Sequence, residues 1–294
     1  LPQVLGSLNE SGLERASSLY RELTPSIVTV SSLEEAELVK LLNNSFRDHV
    51  FAFSNEVSQI CHQWGLDTHR VIRAANEGYP RNPVPLPSPG VGGICLNKDP
   101  HLFVASARSA NYIPKIIGQS RIVNESMLDY LYKKIHYFLS ISGKNLKTAN
   151  IFIVGFAFKG EPETSDMRCS TTLDMAKLLL KDVEQLRGFD PVIPTFTLDE
   201  IPGVKSCSIE QGFQEADCIV IMNNHRSYPD WPINQLLDLS KKPVLFLDSW
   251  RMFEPSDICK AEDIVFSSLG GDYMYDQTKG SIVETFAYRD EIKT

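Results

Sequence analysis

A cysteine at position 95 is preceded by glycines at 90, 92 and 93 and followed by Lys98 and Asp99. A thiolate attacks carbonyl carbon, and glycines let a ligand come close to the backbone. If a helix starts near Cys95, the thiol stands at the positive end of its dipole, which favours the thiolate. Asp99 lies one turn further on the same face, where it could orient or deprotonate a water. Lys98 adds positive charge. Spacing alone also admits a glycine turn carrying a buried, inert thiol.

Two further groups have the spacing of a site. Lys40 and Asn44 lie one turn apart on a helix-like run, with Asn55 three turns beyond Asn44. Such a stripe is either a solvated face or the wall of a site. In GFAFKGEPETSDMRCS (155–170), an apolar run enters Gly155, Lys159 follows, and Arg168 precedes a helical segment. That order suits phosphate binding at the carboxyl end of a strand, and it equally describes an ordinary strand-to-helix loop. No G-x-G-x-x-G fingerprint occurs, so residue patterns give no complete dinucleotide site.

The elements that must hold these residues fall into two patterns. Ser31 and Ser32, with Glu34 and Glu35, open a helix over 31–64 whose apolar positions are Leu38, Leu41, Leu42, Phe46, Val50, Phe53, Val57 and Ile60. Asp67 or Thr68 caps a shorter helix through Ala75. Prolines at 80, 83, 85, 87 and 89 then impose a stiff extended loop. Helical character returns at 97–110 and over 114–142, the latter suited to joining two domains or packing on a partner chain. Beyond Gly143 the period changes: NIFIVGFAF, CIVIM and PVLFLD read as strands, separated by helix-compatible stretches such as 171–183. Strands alternating with helices predict a parallel, doubly wound sheet. Residues 1–30 hold one possible strand, SIVTVS.

The whole chain of 294 residues suits about two domains, and 43% hydrophobic with 22% charged residues is ordinary for a globular protein. A net charge of −8 argues against a nucleic-acid partner. No run approaches membrane-spanning length, so no membrane partner is expected. The six cysteines are scattered without C-x-x-C spacing, which indicates reduced thiols, a cytoplasmic location and no metal site.

Taken in order, AELVKLLNNSF, NEVSQICHQWGLD, PGVGGICLNKDP, VGFAFKGEPETSDMRCS and LFLDSWR resemble the nucleotide-sugar 6-dehydrogenases, the UDP-glucose and GDP-mannose dehydrogenase family. The resemblance covers nearly the whole chain. It implies an α/β architecture with an all-helical central dimerisation domain over 31–143. A doubly wound parallel-sheet, Rossmann-like nucleotide-sugar domain follows over 144–294, and 1–30 is a remnant of an N-terminal NAD domain.

The implied activity is an NAD-dependent, two-step oxidation of a sugar 6-hydroxyl to a carboxylate, through a thiohemiacetal and a thioester on Cys95, as in polysaccharide biosynthesis. By the same resemblance, Lys40 and Asn44 polarise the reacting oxygen and hold the oxyanion, while Asp99 manages protons and water. Arg81 contacts substrate across a homodimer interface, Gly92 and Gly93 leave room for the sugar, and Phe158 and Lys159 hold the nucleotide sugar. Arg168 and Arg251 are assigned to the cofactor, with the ordering of its own loop as the alternative role for Arg168. Asn55 is assigned a structural role. Val91, where UDP-glucose enzymes commonly carry phenylalanine, leans toward UDP-N-acetylhexosamines ahead of UDP-glucose, with UDP-glucose or GDP-mannose as the alternative substrate. The family's glycine-rich NAD loop and catalytic glutamate segment do not occur in this sequence, so the chain alone is expected not to turn over. Two rivals remain: a non-catalytic nucleotide-sugar or dimerisation module, and a hydroxy-acid dehydrogenase of the 6-phosphogluconate type.

Overall fold

A computed structural model describes residues 2–81, 83–260 and 263–284. The chain divides into two compact units, residues 1–49 with 95–121, and residues 50–94 with 122–294.

In the first unit, β1 (Gln3–Leu5), α1 (Glu10–Arg21) and β2 (Ile27–Thr29) form a small βαβ element with parallel strands. Asn9 caps α1 by accepting the Gly12 N–H at 2.8 Å. The single strand expected here is β2; the strand β1 and its helix add to it. The long helix α2 (Leu33–Trp64) starts where the serines and acids predict. The Ser32 hydroxyl accepts the Glu35 N–H at 3.1 Å, and the Glu35 carboxylate accepts the Ser31 N–H at 2.6 Å, a reciprocal cap. Its apolar stripe is not its buried face. Leu38, Leu42, Phe46, Phe53 and Ile60 are exposed, while Ser45, Asp48, Ser54, Asn55, Ser58 and His62 are buried.

Next come α3 (Thr68–Asn76), capped by Asp67, then α4 (Ile94–Ser109) and α5 (Ile116–Ile141). Helices α2 and α5 each contribute a segment to both units.

The second unit is built on an eight-stranded sheet. Its strands are β3 (Ile151–Val154), β4 (Leu186–Phe189), β5 (Val204–Ser206), β6 (Cys218–Ile221), β7 (Val244–Asp248), β8 (Ile264–Ser268), β9 (Gly271–Asp276) and β10 (Ser281–Glu284), in the order β10-β9-β8-β7-β6-β3-β4-β5. Strands β3 to β8 pair in parallel, and β9 and β10 add an antiparallel hairpin at one edge. The parallel, doubly wound core is the one expected from the sequence; the hairpin is an addition.

Helices α6 (Thr171–Leu179), α7 (Thr195–Asp199), α8 (Ile209–Phe213), α9 (Ile233–Asp238) and α10 (Pro255–Ile258) complete the unit. Alternation of side chains sorts the core into two layers. Ile151, Ile153, Cys218 and Val220 pack with residues of α5 and α6, such as Leu131, Ile135, Met175 and Leu179. Phe152, Val154, Ile219 and Ile221 pack with Phe213, Ile233, Leu236 and Ile258 from α8, α9 and α10. Each fully buried aliphatic or aromatic side chain of these strands contributes roughly 1.5–3 kcal/mol. No described helix is long and apolar enough to cross a membrane.

This order creates a switch point. From β3 the chain proceeds to β4 and β5 on one side, then returns to β6 on the other. The crevice outside the carboxyl ends of β3 and β6 is where ligands of such sheets sit.

Candidate functional site

In the first unit, Cys95 stands exposed in the first turn of α4. Asp99, one turn on, is fully buried. The Asn44 side-chain amide donates to an Asp99 oxygen at 2.5 Å, and Lys40 Nζ lies 4.0 Å from the same oxygen. The ammonium of Lys98 donates to the other carboxylate oxygen. Burial alone raises the pKa of the Asp99 carboxyl, but the donors Lys98 and Asn44 and the charge of Lys40 outweigh it and hold the group below the ordinary value. Lys98 is held above its ordinary value, first by the Asp99 hydrogen bond and in lesser part by the nearby Cys95 sulfur. Lys40, Asn44 and Asp99 therefore form one connected set, and its Asp99 lies one helical turn from Cys95. It offers an exposed sulfur, two side-chain donors and a carboxylate.

Behind this set lies a second layer that residue patterns alone did not single out. Asp48, one turn along α2 from Asn44, is buried and accepts from Arg121 Nη1 at 2.7 Å. Extending the Lys40–Asn44 stripe by four residues reaches it.

In the second unit, the loop after β3 carries Phe158 and Lys159, both half-buried. Lys159 Nζ sits 5.5 Å from the centre of the Phe158 ring. The Phe158 N–H donates to the Asp166 carbonyl at 2.9 Å, which closes the loop. Gly93 has φ +89, and a Cβ there would come 3.0 Å from the Phe158 ring; one at Gly92 would come 3.0 Å from the Cys169 carbonyl. The space beside these two glycines is thus occupied by Phe158 and the Cys169 backbone.

The facing loop after β6 pins the loop after β3 in place. Asn224 Oδ1 accepts the Gly160 N–H at 2.9 Å, and His225 Nε2 lies 3.0 Å from Glu163 Oε2. The Ser227 N–H donates to His225 Nδ1, so Nε2 carries the proton toward Glu163. These residues follow the CIVIM strand directly, and their position at a strand's carboxyl end was the available signal.

Arg81 is exposed on the turn after α3. Arg168 is exposed and makes a two-pronged pair with Asp166, at 2.9 and 2.7 Å, which lowers that carboxyl to about 2. The side chain of Arg251 is buried in a network of its own. Its guanidinium reaches Asp67, Glu254, Ser268 and Tyr273, each at 3.4 Å, and stacks over Phe266 and Tyr273. His69, two residues past the Asp67 cap, is buried with neither ring nitrogen hydrogen-bonded. Asn55 is fully buried and bridges the Asn124 side chain at 2.9 Å and the Ser88 N–H at 2.8 Å.

Residues 34–126 match the central domain of the UDP-glucose/GDP-mannose dehydrogenase family, and residues 152–255 match that family's UDP-binding domain. The chain belongs to this family. A UDP-N-acetyl-D-mannosamine dehydrogenase of Pyrococcus horikoshii is 30% identical over 77% of this chain and 50% of its own length. A UDP-N-acetyl-D-mannosamine dehydrogenase of Yersinia pestis is 29% identical over 77% of this chain and 54% of its own. The chain thus spans about half the length of these relatives. The solved structure of the Pyrococcus horikoshii UDP-D-ManNAc dehydrogenase superposes with a TM-score of 0.77 at 26% identity, covering 92% of this chain and 60% of that one. An NDP-N-acetyl-D-galactosaminuronic acid dehydrogenase from Methanosarcina mazei shares the fold, with a TM-score of 0.80 at 23% identity over 91% of this chain and 57% of that one.

A dinucleotide in this sheet would need free backbone N–H groups after β3 and a free acid at the end of β4. The acid is already committed. Asp190, at the end of β4, accepts the N–H groups of Phe156 and Ala157 with one oxygen and those of Val192 and Ile193 with the other. The end of β4 therefore offers no free acid for a dinucleotide ribose.

Proposed function

We propose that this chain carries the nucleophile and the nucleotide-sugar platform of an oxidoreductase that converts the C6 hydroxyl of a UDP-linked hexose to a carboxylate. The observation that carries this reading is the Asn44–Asp99–Lys40 set, whose Asp99 lies one turn from the exposed Cys95. Neither an inert thiol nor a pure binding module needs such a set.

At the aldehyde stage Cys95 Sγ adds to C6, forming a C–S bond while the carbonyl oxygen becomes an oxyanion. Lys40 and the Asn44 amide are the donors for that oxygen. Once C6 stands at the thioester level, water attacks it, Asp99 takes the water's proton, and the C–S bond breaks to release Cys95 as thiolate. The hydride removals are the chemistry that NAD would supply, and these residues do not hold it.

UDP-N-acetylmannosamine is the favoured substrate, from Val91 and from the activity named for the relatives. UDP-N-acetylglucosamine and UDP-glucose follow. The uridine diphosphate is assigned to the switch-point crevice lined by Phe158 and Lys159, with Arg81 as a further substrate contact. Arg168 and Arg251 are already committed to carboxylates, and they serve their loops ahead of a cofactor. The exposed apolar stripe of α2, with Leu38, Leu42, Phe46 and Phe53, suits a second copy of the chain as partner. Six free cysteines suit a reducing, cytoplasmic setting.

The test is turnover of the complete natural protein with NAD and each of the three UDP-sugars, beside Cys95→Ser. The reading expects UDP-N-acetylmannosamine to have the highest kcat/KM, and the serine variant to lose oxidation while retaining UDP affinity. Equal turnover by Cys95→Ser would favour the hydroxy-acid dehydrogenase alternative.

A further inference from the structure

We propose that Arg121 is the positioning residue for the Cys95 turn; its importance to turnover rests on the nucleophile role assigned to Cys95 above. The cause begins with Pro100, which lies inside α4. Proline has no N–H, so the carbonyl four residues earlier loses its helical donor. That carbonyl belongs to Leu96, the residue directly after Cys95. Arg121, from α5, fills the gap. Its Nη1 lies 3.4 Å from the Leu96 carbonyl and 2.7 Å from Asp48 Oδ1, and its Nη2 lies 3.2 Å from Asn97 Oδ1.

Both charged partners are interior: Arg121 is 4% exposed and Asp48 0%. A buried guanidinium with several fixed acceptors has little rotational freedom, and a lysine cannot reproduce its planar fork. Asp48 continues the Lys40–Asn44 stripe of α2. One side chain thus joins the α4 turn bearing Cys95 and Asp99 to the α2 face bearing Lys40 and Asn44. A second tie between α2 and α5 stands beside it, His49 Nδ1 to Ser120 Oγ at 2.9 Å. Arg121 touches no reacting atom in this scheme. Its work is to keep sulfur, donors and carboxylate in one register, and a misplacement of about 1 Å in such a set costs about a hundredfold in rate.

The experiment compares wild type, Arg121→Lys, Asn97→Ala and Cys95→Ser of the complete natural protein, with NAD and UDP-N-acetylmannosamine. Iodoacetamide labelling of the buried Cys61, Cys218 and Cys259 runs in parallel as a check of fold integrity. With those thiols still protected, Arg121→Lys is expected to lower kcat about ten- to hundredfold and leave KM within about threefold, a split that simple loss of folded protein does not give. An unchanged kcat overturns the proposal. Should Arg121→Lys expose the buried thiols, Asn97→Ala decides, because it leaves the Asp48 ion pair whole; a kcat within about twofold of wild type then overturns it. If Cys95→Ser is inactive while both positioning variants match wild type, only the Arg121 proposal fails. If Cys95→Ser matches wild type, the nucleophile reading fails, and with it the importance of this register to turnover.

Discussion

Two buried groups near the carboxyl edge of the sheet titrate in opposite senses. Asp248 ends β7 and accepts the N–H groups of Trp250 at 3.1 Å and Phe253 at 2.9 Å. Burial nevertheless pushes its carboxyl up from 3.8 to about 6. His69 is pushed down from 6.5 to about 4, by burial first and then by the charge of Arg251, with Asp67 opposing and Arg73 adding a little. Between about pH 4 and 6 the folded state keeps an Asp248 proton that the unfolded chain has released. Rising pH therefore removes about 3 kcal/mol of stability there, at about 1.36 kcal/mol per pH unit. Over about pH 4 to 6.5 the unfolded chain binds a His69 proton that the fold excludes, so rising pH restores about 3 kcal/mol. The two contributions nearly cancel in the native protein. Asp248→Asn should uncover the rising limb and His69→Leu the falling one, each displaced from wild type by about 3 kcal/mol across the window. Urea unfolding at several pH values, followed by tryptophan fluorescence, reads the difference; Trp64, Trp231 and Trp250 all lie in the second unit. Profiles of Asp248→Asn and wild type that run parallel from pH 4 to 6 would refute the reasoning.

Further expectations concern the site directly. Asn44→Ala removes the 2.5 Å donor to a fully buried carboxylate, and should cost about 1–3 kcal/mol in urea unfolding; no loss would mean that Asp99 is held by its lysines alone. Gly93→Ala places a Cβ 3.0 Å from the Phe158 ring at φ +89, so a penalty of about 1–3 kcal/mol and a UDP affinity about tenfold weaker are expected by calorimetry. Unchanged UDP affinity in that variant would remove Phe158 from the nucleotide site. Lys159→Ala should weaken UDP binding to the chain about tenfold and more so at low salt, whereas an equal loss at all salt concentrations would argue against an ionic contact.

Much of the fold was legible because its signals are local. NIFIVGFAF, CIVIM and PVLFLD are continuous apolar runs, as strands covered on both faces must be, and they became β3, β6 and β7. Strands β4 and β5 read as LRGF and VKS, too short and too polar to show a period. The start and length of α2 were legible from its serine–glutamate cap, but its inward face was not. Periodicity points an apolar stripe at a core, whereas α2 buries Asp48, Asn55 and His62 in specific polar contacts and leaves leucines and phenylalanines outside. In the site, Cys95, Asp99, Lys40 and Asn44 could be named from spacing and resemblance. Arg121 could not, because its partners lie 73 and 24 residues away in sequence and meet only in the fold.

The proposed oxidation requires a covalent bond between the substrate carbon and the Cys95 sulfur. Complete natural protein incubated with NAD and UDP-N-acetylmannosamine, then quenched in acid and digested, should yield a Cys95 peptide carrying the sugar as an acyl thioester that hydroxylamine removes. Accumulation of the uronate product with the Cys95 peptide unmodified at every quench time, and with Cys95→Ser still active, would contradict it.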